Sequence, residues 1–119
     1  MYIAMNRFRV RPDQAEAFET MWAEREVYLH TVPGFREFHM LRGPRVEPEG
    51  AEPYTLYASH TVWESEAAFS SWTRSEAFRA AHRNAGGHGH LYVGGPQFEG
   101  FTAVQAVRRD GTRETFDTD

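Results

Sequence analysis

The sequence contains no cysteine, and this absence restricts the chemistry that the chain can support. Disulfides, iron–sulfur clusters, thiolate-ligated metal centres and thiol-based zinc sites all require cysteine and are therefore excluded. A metal, if the chain binds one, must be held by histidine, aspartate, glutamate or tyrosine. The sequence has six histidines, which are the first residues to consider for such a role.

Long apolar runs and basic clusters are also missing. No run reaches the roughly 18 apolar residues that a membrane-spanning helix requires, and the N-terminus lacks the apolar core of a signal peptide. We therefore expect a cytoplasmic protein without a membrane segment. The net charge is −4 with no dense basic run, so nucleic acid is not an expected partner. Nucleophile-elbow, phosphate-loop and dinucleotide-binding motifs are absent.

The first ten residues alternate between two faces, which predicts a β-strand. One face carries Tyr2, Ala4, Asn6, Phe8 and Val10. The other elements are predicted from three patterns: helical spacing of apolar residues, runs of β-branched and aromatic residues, and breaks at proline and glycine. The predicted elements are a helix over 12–30, strands over 35–41 and 54–63, helices over 65–72 and 74–84, a glycine-rich loop over 84–96 and a strand over 98–107.

This order, β-α-β-β-α-α-β, predicts an α+β, ferredoxin-like fold with an antiparallel sheet and helices on one face. We assign residues 1–107 to a single domain and 108–119 to a polar, frayed tail. The sheet face without helices still carries apolar residues, so two sheets are expected to pair face to face. The sequence therefore predicts a homodimer in the form of a dimeric α/β barrel.

Two polar residues interrupt apolar faces. Asn6 lies in the middle of the first strand, and a buried amide without a partner costs on the order of 1–3 kcal/mol. Its partner is either a backbone or water group in the core or a ligand in a pocket. Arg25 interrupts the apolar stripe of the first helix. It is expected to meet an anion, which is either a protein carboxylate or the carboxylate of a ligand.

Residues of the next two helices offer further candidates. His82 follows Phe78 by one helical turn, so the two side chains could bind a flat cofactor, or His82 could complement the helix dipole. Trp72 precedes a predicted helix break, where Thr73 to Glu76 have the spacing of a capping box. It is either a core residue or a pocket wall. His88 and His90 lack an apparent third ligand, so no metal site is predicted there.

The segment TVWESEAAFSSWTRSEAFRAAH, residues 61–82, and the turn Pro33-Gly34-Phe35 resemble the IsdG/IsdI-type haem-degrading monooxygenases. These enzymes belong to the wider antibiotic-biosynthesis-monooxygenase-like superfamily. The resemblance extends over residues 1–107. Its most specific feature is the interval from Trp72 to His82 combined with an asparagine in the first strand. A longer C-terminus and a different 84–96 loop distinguish this chain and leave the product of the reaction open.

The resemblance implies a role for each candidate. His82 is implied to be the proximal ligand of the haem iron, and Asn6 to donate a hydrogen bond on the opposite side of the haem. Trp72 is implied to press the porphyrin out of plane. Arg25 matches a position that is often basic in relatives, which implies a contact with a haem propionate. With Phe78, these residues form the predicted haem site.

The implied reaction is oxidative opening of haem, which is both cofactor and substrate, with release of iron. It consumes dioxygen and electrons, and a separate reductase or a small reductant must supply the electrons because no flavin or nicotinamide motif is present. Two alternatives remain. One is a cofactor-free monooxygenase of the same superfamily that acts on aromatic polyketide-like substrates. The other is a non-enzymatic dimer that binds haem or another small ligand.

Overall fold

A computed structural model describes residues 1–25, 28–81 and 89–116. The first segment, in which side chains alternate between two faces, forms a nine-residue strand. Its inner face, which packs against the core, is buried at Tyr2, Ala4 and Val10. The helices and strands are β1 (Tyr2–Val10), α1 (Ala15–Glu24), β2 (Phe35–Val46), β3 (Tyr54–Trp63), α2 (Glu66–Thr73), α3 (Glu76–Ala81), β4 (Gln97–Thr102), β5 (Gln105–Val107) and β6 (Arg113–Thr115).

The four long strands form one antiparallel sheet in the order β2-β3-β1-β4. The predicted α+β, ferredoxin-like fold is therefore confirmed. β1 is hydrogen-bonded on both sides, to β3 along its whole length and to β4 over residues 2–7. Two clusters of buried side chains line its inner face, one around Trp63 and one around Phe18 and Tyr57. No helix within the described ranges is long and apolar enough to cross a membrane.

The turn that leads into β2 requires a glycine. Gly34 has a φ of +84°, and a Cβ at this position would overlap the Cβ of Ala68 on α2. Only glycine combines this backbone conformation with so close an approach. The same turn is fixed to the end of β3 by the amide of Glu64, which donates to the carbonyl of Gly34 at 2.8 Å.

The predicted helix over 12–30 is wrong beyond residue 24. The helix α1 ends at Glu24, the backbone of Arg25 is extended, and Tyr28 adopts a left-handed conformation with φ of 53°. Leu29 opens a short 3₁₀ turn and is nevertheless 4% exposed. The apolar spacing continued past the end of the helix because Leu29 is buried, and burial alone does not define a helix.

Two further features differ from the prediction, the end of β2 and the cap of α3. β2 continues to Val46 through Pro44, which is tolerated because β2 is an edge strand with an irregularity between Arg42 and Arg45. α2 and α3 are separated near Thr73 as predicted. The side chain that caps α3 is Ser75, which accepts from the amide of Phe78 at 3.2 Å.

Residues 108–116 do not form the frayed tail that the sequence predicted for 108–119. β5 and β6 pair as an antiparallel hairpin, and Gly111 in the connecting turn has a φ of +89°. The Asp110-Gly111 pair is a strong hairpin signal that the polar composition of the tail concealed. Asp110 accepts hydrogen bonds from the amide and hydroxyl of Thr112. The domain boundary at residue 107 stays a prediction.

A buried tyrosine fastens α1 to the sheet. Tyr57 of β3 is 1% exposed and packs on Phe18 with ring centroids 4.5 Å apart. Its hydroxyl donates to the carboxylate of Glu19, which also accepts from Arg42 Nε at 2.8 Å. Burial, followed by the hydrogen bond to Glu19, raises the pKa of Tyr57 to about 12. The hydrogen bond from Tyr57 is also the largest cause of the lowered pKa of Glu19.

We predict that Tyr57→Phe lowers the melting temperature by roughly 5 °C at neutral pH, because it removes a hydrogen bond to a charged acceptor. The raised pKa makes this stabilisation complete below the ordinary tyrosine pKa of 10, and it is lost as the pH rises towards about 12. Thermal unfolding followed by circular dichroism measures the change. Tyr54→Phe is the control, and an equal effect of both changes would contradict the prediction.

Candidate functional site

A cavity of about 320 Å³ lies between the inner face of the sheet and the helices α1 and α2. Its size is within the range of sites that bind small molecules. Most of its wall is aromatic or aliphatic. The described lining residues are Ala4, Asn6, Phe8, Trp22, Arg25, Leu29, Phe38, Ser59, Thr61, Phe69, Trp72, Tyr92, Pro96 and Phe98.

Four aromatic rings of the lining are arranged as two stacked pairs. Trp22 stacks on Phe38 with centroids 5.9 Å apart and planes 22° apart. Phe69 stacks on Phe98 at 5.6 Å with planes only 9° apart. Aromatic surface of this kind suits an apolar ligand that can stack on it. The sequence analysis did not single out these four residues, because pairing between distant segments brings them together.

Asn6 lies in the middle of the cavity floor. In the sheet it is paired with Ser59 of β3 and Phe98 of β4, and both of these residues also line the cavity. No hydrogen bond joins the Asn6 side chain to another residue in the described part of the chain. The protein partner that the sequence analysis considered is therefore not found there. The amide is available to a ligand.

Trp72 forms part of the cavity wall at the end of α2. Its ring packs on Trp63 at 5.3 Å and on Phe69 at 6.1 Å. Phe78 of α3 contacts it edge-on at 4.8 Å. Phe78 is not among the described lining residues, and its ring contact is with Trp72. The predicted ligand His82 lies outside the described residues, as does His88.

Arg25 enters the cavity from the end of α1. Its guanidinium lies over the ring of Trp22, 4.5 Å from the centroid, in a cation–π contact. Burial lowers the pKa of Arg25 from its usual value. The structure therefore brings three of the predicted site residues, Asn6, Arg25 and Trp72, to one cavity. Their chemical roles stay predictions.

Tyr92 is a cavity residue that the sequence analysis missed. Burial raises the pKa of its phenol, while the positive charge of Arg25 acts in the opposite direction. The only local signal was the apolar triplet Leu91-Tyr92-Val93 inside a glycine-rich stretch. An apolar run in such a stretch is a reason to expect burial.

Arg11 holds this segment against the sheet. Its amide donates to the carbonyl of Leu91 at 2.8 Å, and its Nη1 donates to the carbonyls of His90 at 2.9 Å and Tyr92 at 2.6 Å. The amide of Val93 donates to the carbonyl of Arg9 at 2.7 Å. These contacts hold the backbone of Tyr92 beside the end of β1, where its ring lines the cavity.

The cavity has two chemically different ends, ordered along β1. Towards Tyr2 the wall includes Thr61 and Phe69, and Phe69 contacts Tyr2 with ring centroids 5.5 Å apart. Near Phe8 the wall includes Trp22 at 6.1 Å and Tyr92 at 6.0 Å, and Arg25 lies there over Trp22. Asn6 lies between the two ends. This arrangement fits a flat, apolar molecule with a hydrogen-bonding group near its centre and a negative charge at one edge.

The remaining histidines lie away from the cavity. His39 and His60 face each other across β2 and β3 with ring centroids 5.7 Å apart, and His30 and His90 are exposed. Within residues 1–25, 28–81 and 89–116, no three metal-binding side chains come together. The expectation that His88 and His90 do not form a metal pair is not tested, since His88 is outside these ranges.

Comparison with known proteins identifies relatives for most of the chain. A staphylobilin-producing haem oxygenase of Staphylococcus haemolyticus is 29% identical over 84 residues, which make up 71% of this chain and 75% of the relative. The solved structure of MhuD, a haem-degrader from Mycobacterium tuberculosis with two haems bound in its active site, is similar with a TM-score of 0.65. It is 29% identical, and the alignment covers 91% of this chain and all of that one (100%).

A third relative has a different activity. SnoaB, a cofactor-independent oxygenase from Streptomyces nogalater, is similar with a TM-score of 0.57 and 24% identity, over 86% of this chain and 91% of that one. At this identity the likeness shows the fold alone. The family model described as antibiotic biosynthesis monooxygenase matches residues 1–84, more than half of the sequence. The chain therefore belongs to the antibiotic biosynthesis monooxygenase family.

Proposed function

We propose that this protein is a haem-degrading monooxygenase that opens the porphyrin ring with dioxygen and external electrons and releases iron. The observation that carries the proposal is the convergence of Asn6 and Trp72 on one cavity lined largely by aromatic residues. The relatives named as a haem oxygenase and a haem-degrader support the choice of substrate. The cytoplasmic location expected from the sequence stays a prediction.

The cavity matches the chemistry of haem, which is a flat, largely apolar ring with two carboxylates at one edge. The stacked pairs of Trp22 with Phe38 and Phe69 with Phe98 offer flat apolar surface. Arg25 brings a positive charge to the end of the cavity near Phe8. Haem would supply both the redox-active iron and the ring that is oxidised, and His82 is the residue proposed to bind the iron.

Each residue would then have a distinct task. Asn6 would donate a hydrogen bond from its amide to a reacting oxygen atom, and a neutral donor is most effective in a site from which water is excluded. Trp72, held by Trp63 and supported by Phe78, would press on the porphyrin. Arg25 would hold a propionate. Electrons would come from a separate reductase or a small reductant.

Aerobic turnover tests the proposal. We expect the purified protein, loaded with haemin and given ascorbate in air, to lose its Soret absorbance and to release iron that a chelator captures. Asn6→Ala should still bind haemin, with turnover slowed by about 100-fold, as is typical when one positioned donor is removed. The control is Ser59→Ala, which changes the residue opposite Asn6 in the cavity.

The possible failures point to different conclusions. Equal turnover in Asn6→Ala and Ser59→Ala would contradict the role of Asn6. Haemin that binds and retains its Soret absorbance after ascorbate is added would favour the carrier alternative. A protein that does not bind haemin but oxidises an aromatic polyketide-like compound would favour the cofactor-free alternative.

We also propose that the chain forms a homodimer through the sheet face opposite the helices. This outer face carries Ile3, Met5 and Ala58 in its middle, with Leu41 and Phe101 near its two edges. Leu41 is 42% exposed and Phe101 49% exposed in the single chain. Apolar side chains exposed on one sheet face are typical of an interface.

Sedimentation velocity at micromolar concentration tests the dimer. The wild-type chain should sediment as a dimer, and Leu41→Glu should shift it to the monomer, because a charge would be buried in the interface. Val107→Glu is the control, since Val107 is also well exposed but lies in the C-terminal hairpin. A monomeric wild type, or a Leu41→Glu variant that remains dimeric, would refute this arrangement.

A further inference from the structure

We infer that Arg11 is a positioning residue of the cavity: its guanidinium holds the ring of Tyr92 in the wall and thereby sets the affinity for an apolar ligand that packs on that ring. The inference rests on the proposed function for the identity of that ligand. Arg11 is not among the described lining residues, so it acts through Tyr92. This role is separate from those proposed for Asn6 and Trp72.

The main chain alone holds the segment around Tyr92 at few points. The bridge between Tyr92 and Val10 is isolated, so the segment does not belong to a continuous ladder of hydrogen bonds. Gly89 precedes this segment, and Gly94 and Gly95 follow it. Glycine restricts the backbone less than any other residue. The position of the Tyr92 ring therefore depends on side-chain contacts to its backbone.

The guanidinium of Arg11 makes such contacts. Its Nη1 donates to the carbonyl of His90 at 2.9 Å and to the carbonyl of Tyr92 at 2.6 Å. Hydrogen bonds from a charged donor are stronger than those between neutral groups. Because the shorter contact is to Tyr92 itself, a change at Arg11 acts directly on the residue whose ring forms the wall.

Glu52 binds another nitrogen of the same guanidinium. Its Oε1 accepts from Arg11 Nε at 3.1 Å. A guanidinium is planar and directs its N–H groups in fixed directions, so it can serve a carboxylate and two carbonyls together, whereas a lysine ammonium is a compact point charge. The two side chains are 36% and 54% exposed, and exposed ion pairs contribute little to stability. We therefore expect Glu52 to orient Arg11 rather than to stabilise the fold.

The ring of Tyr92 connects Arg11 to the cavity. It lines the cavity beside Phe8, with ring centroids 6.0 Å apart, and meets Phe18 edge-on at 6.0 Å. Phe18 is fully buried, and Phe8 lies in β1, which is paired with β3 at this point. These two rings are held independently of Arg11. Displacement of the Tyr92 ring would leave a gap beside them, and a ligand loses its contacts across a gap.

A double-mutant cycle between Arg11 and Tyr92 tests the inference. Haemin is titrated into the wild type, Arg11→Lys, Tyr92→Leu and the double variant. Arg11→Lys should weaken binding by about tenfold, as for the loss of a hydrogen bond to a charged group. With leucine already in place of Tyr92, the same change should weaken binding by no more than about twofold. At saturating haemin the rate of Soret loss should stay near that of the wild type, because Asn6 and Trp72 are unchanged.

Arg45→Lys is the matched control. Arg45 Nε also binds a carboxylate at 3.1 Å, that of Glu47, but Arg45 is not among the described lining residues. Its replacement should leave haemin binding unchanged. Glu52→Gln keeps Arg11 in place and therefore serves as the test if Arg11→Lys does not fold. It should weaken binding by about threefold, and only while Tyr92 is present.

Pyrene, an apolar probe without iron or carboxylates, separates this inference from the proposed function. It is titrated by fluorescence into the same variants. If haemin does not bind but pyrene shows the coupling between Arg11 and Tyr92, the proposed function fails and the positioning role stands. An equal effect of Arg11→Lys with and without the Tyr92 ring, no effect of Arg11→Lys, or no saturable binding of either probe would overturn the positioning role.

Discussion

The two-sided pairing of β1 is the constraint on which the rest of the structure depends. Because β3 and β4 are both hydrogen-bonded to this strand, its alternation is fixed, and Asn6 must face the helices along with Tyr2 and Val10. A register shift of one residue would move all of these side chains to the other face. The aromatic end and the cationic end of the cavity are then ordered along the same strand.

Local patterns predicted the sheet and the break between α2 and α3, because alternation and helical spacing are set by neighbouring residues. The end of α1 was missed since Leu29 is buried after the helix has ended, which extends the apolar spacing. Contacts over long sequence distances could not be predicted. Tyr92 enters the cavity because Arg11, 81 residues away, binds its carbonyl. No local pattern in the glycine-rich stretch contains that information.

The polar residues at positions where the sequence pattern called for apolar ones are the most informative about the site. An amide on an apolar strand face and a cation that continues the apolar spacing just past the end of α1 are both unfavourable for folding alone, and such exceptions are expected at functional positions. Asn6 and Arg25 meet at the same cavity, which gives the two exceptions a common explanation. By contrast, Tyr57 and Glu19 form a polar pair that fastens α1 to the sheet and has no part in the cavity.

The central claim is that this cavity holds haem with His82 on the iron. The most direct measurement is a titration of the apo-protein with haemin, followed by visible absorbance, for the wild type, His82→Ala and the control His30→Ala. The account predicts saturable binding with a shifted Soret band in the wild type and in His30→Ala, and loss of that shifted band in His82→Ala. The absence of saturable haemin binding to the wild type, or an unchanged Soret shift in His82→Ala, would contradict it.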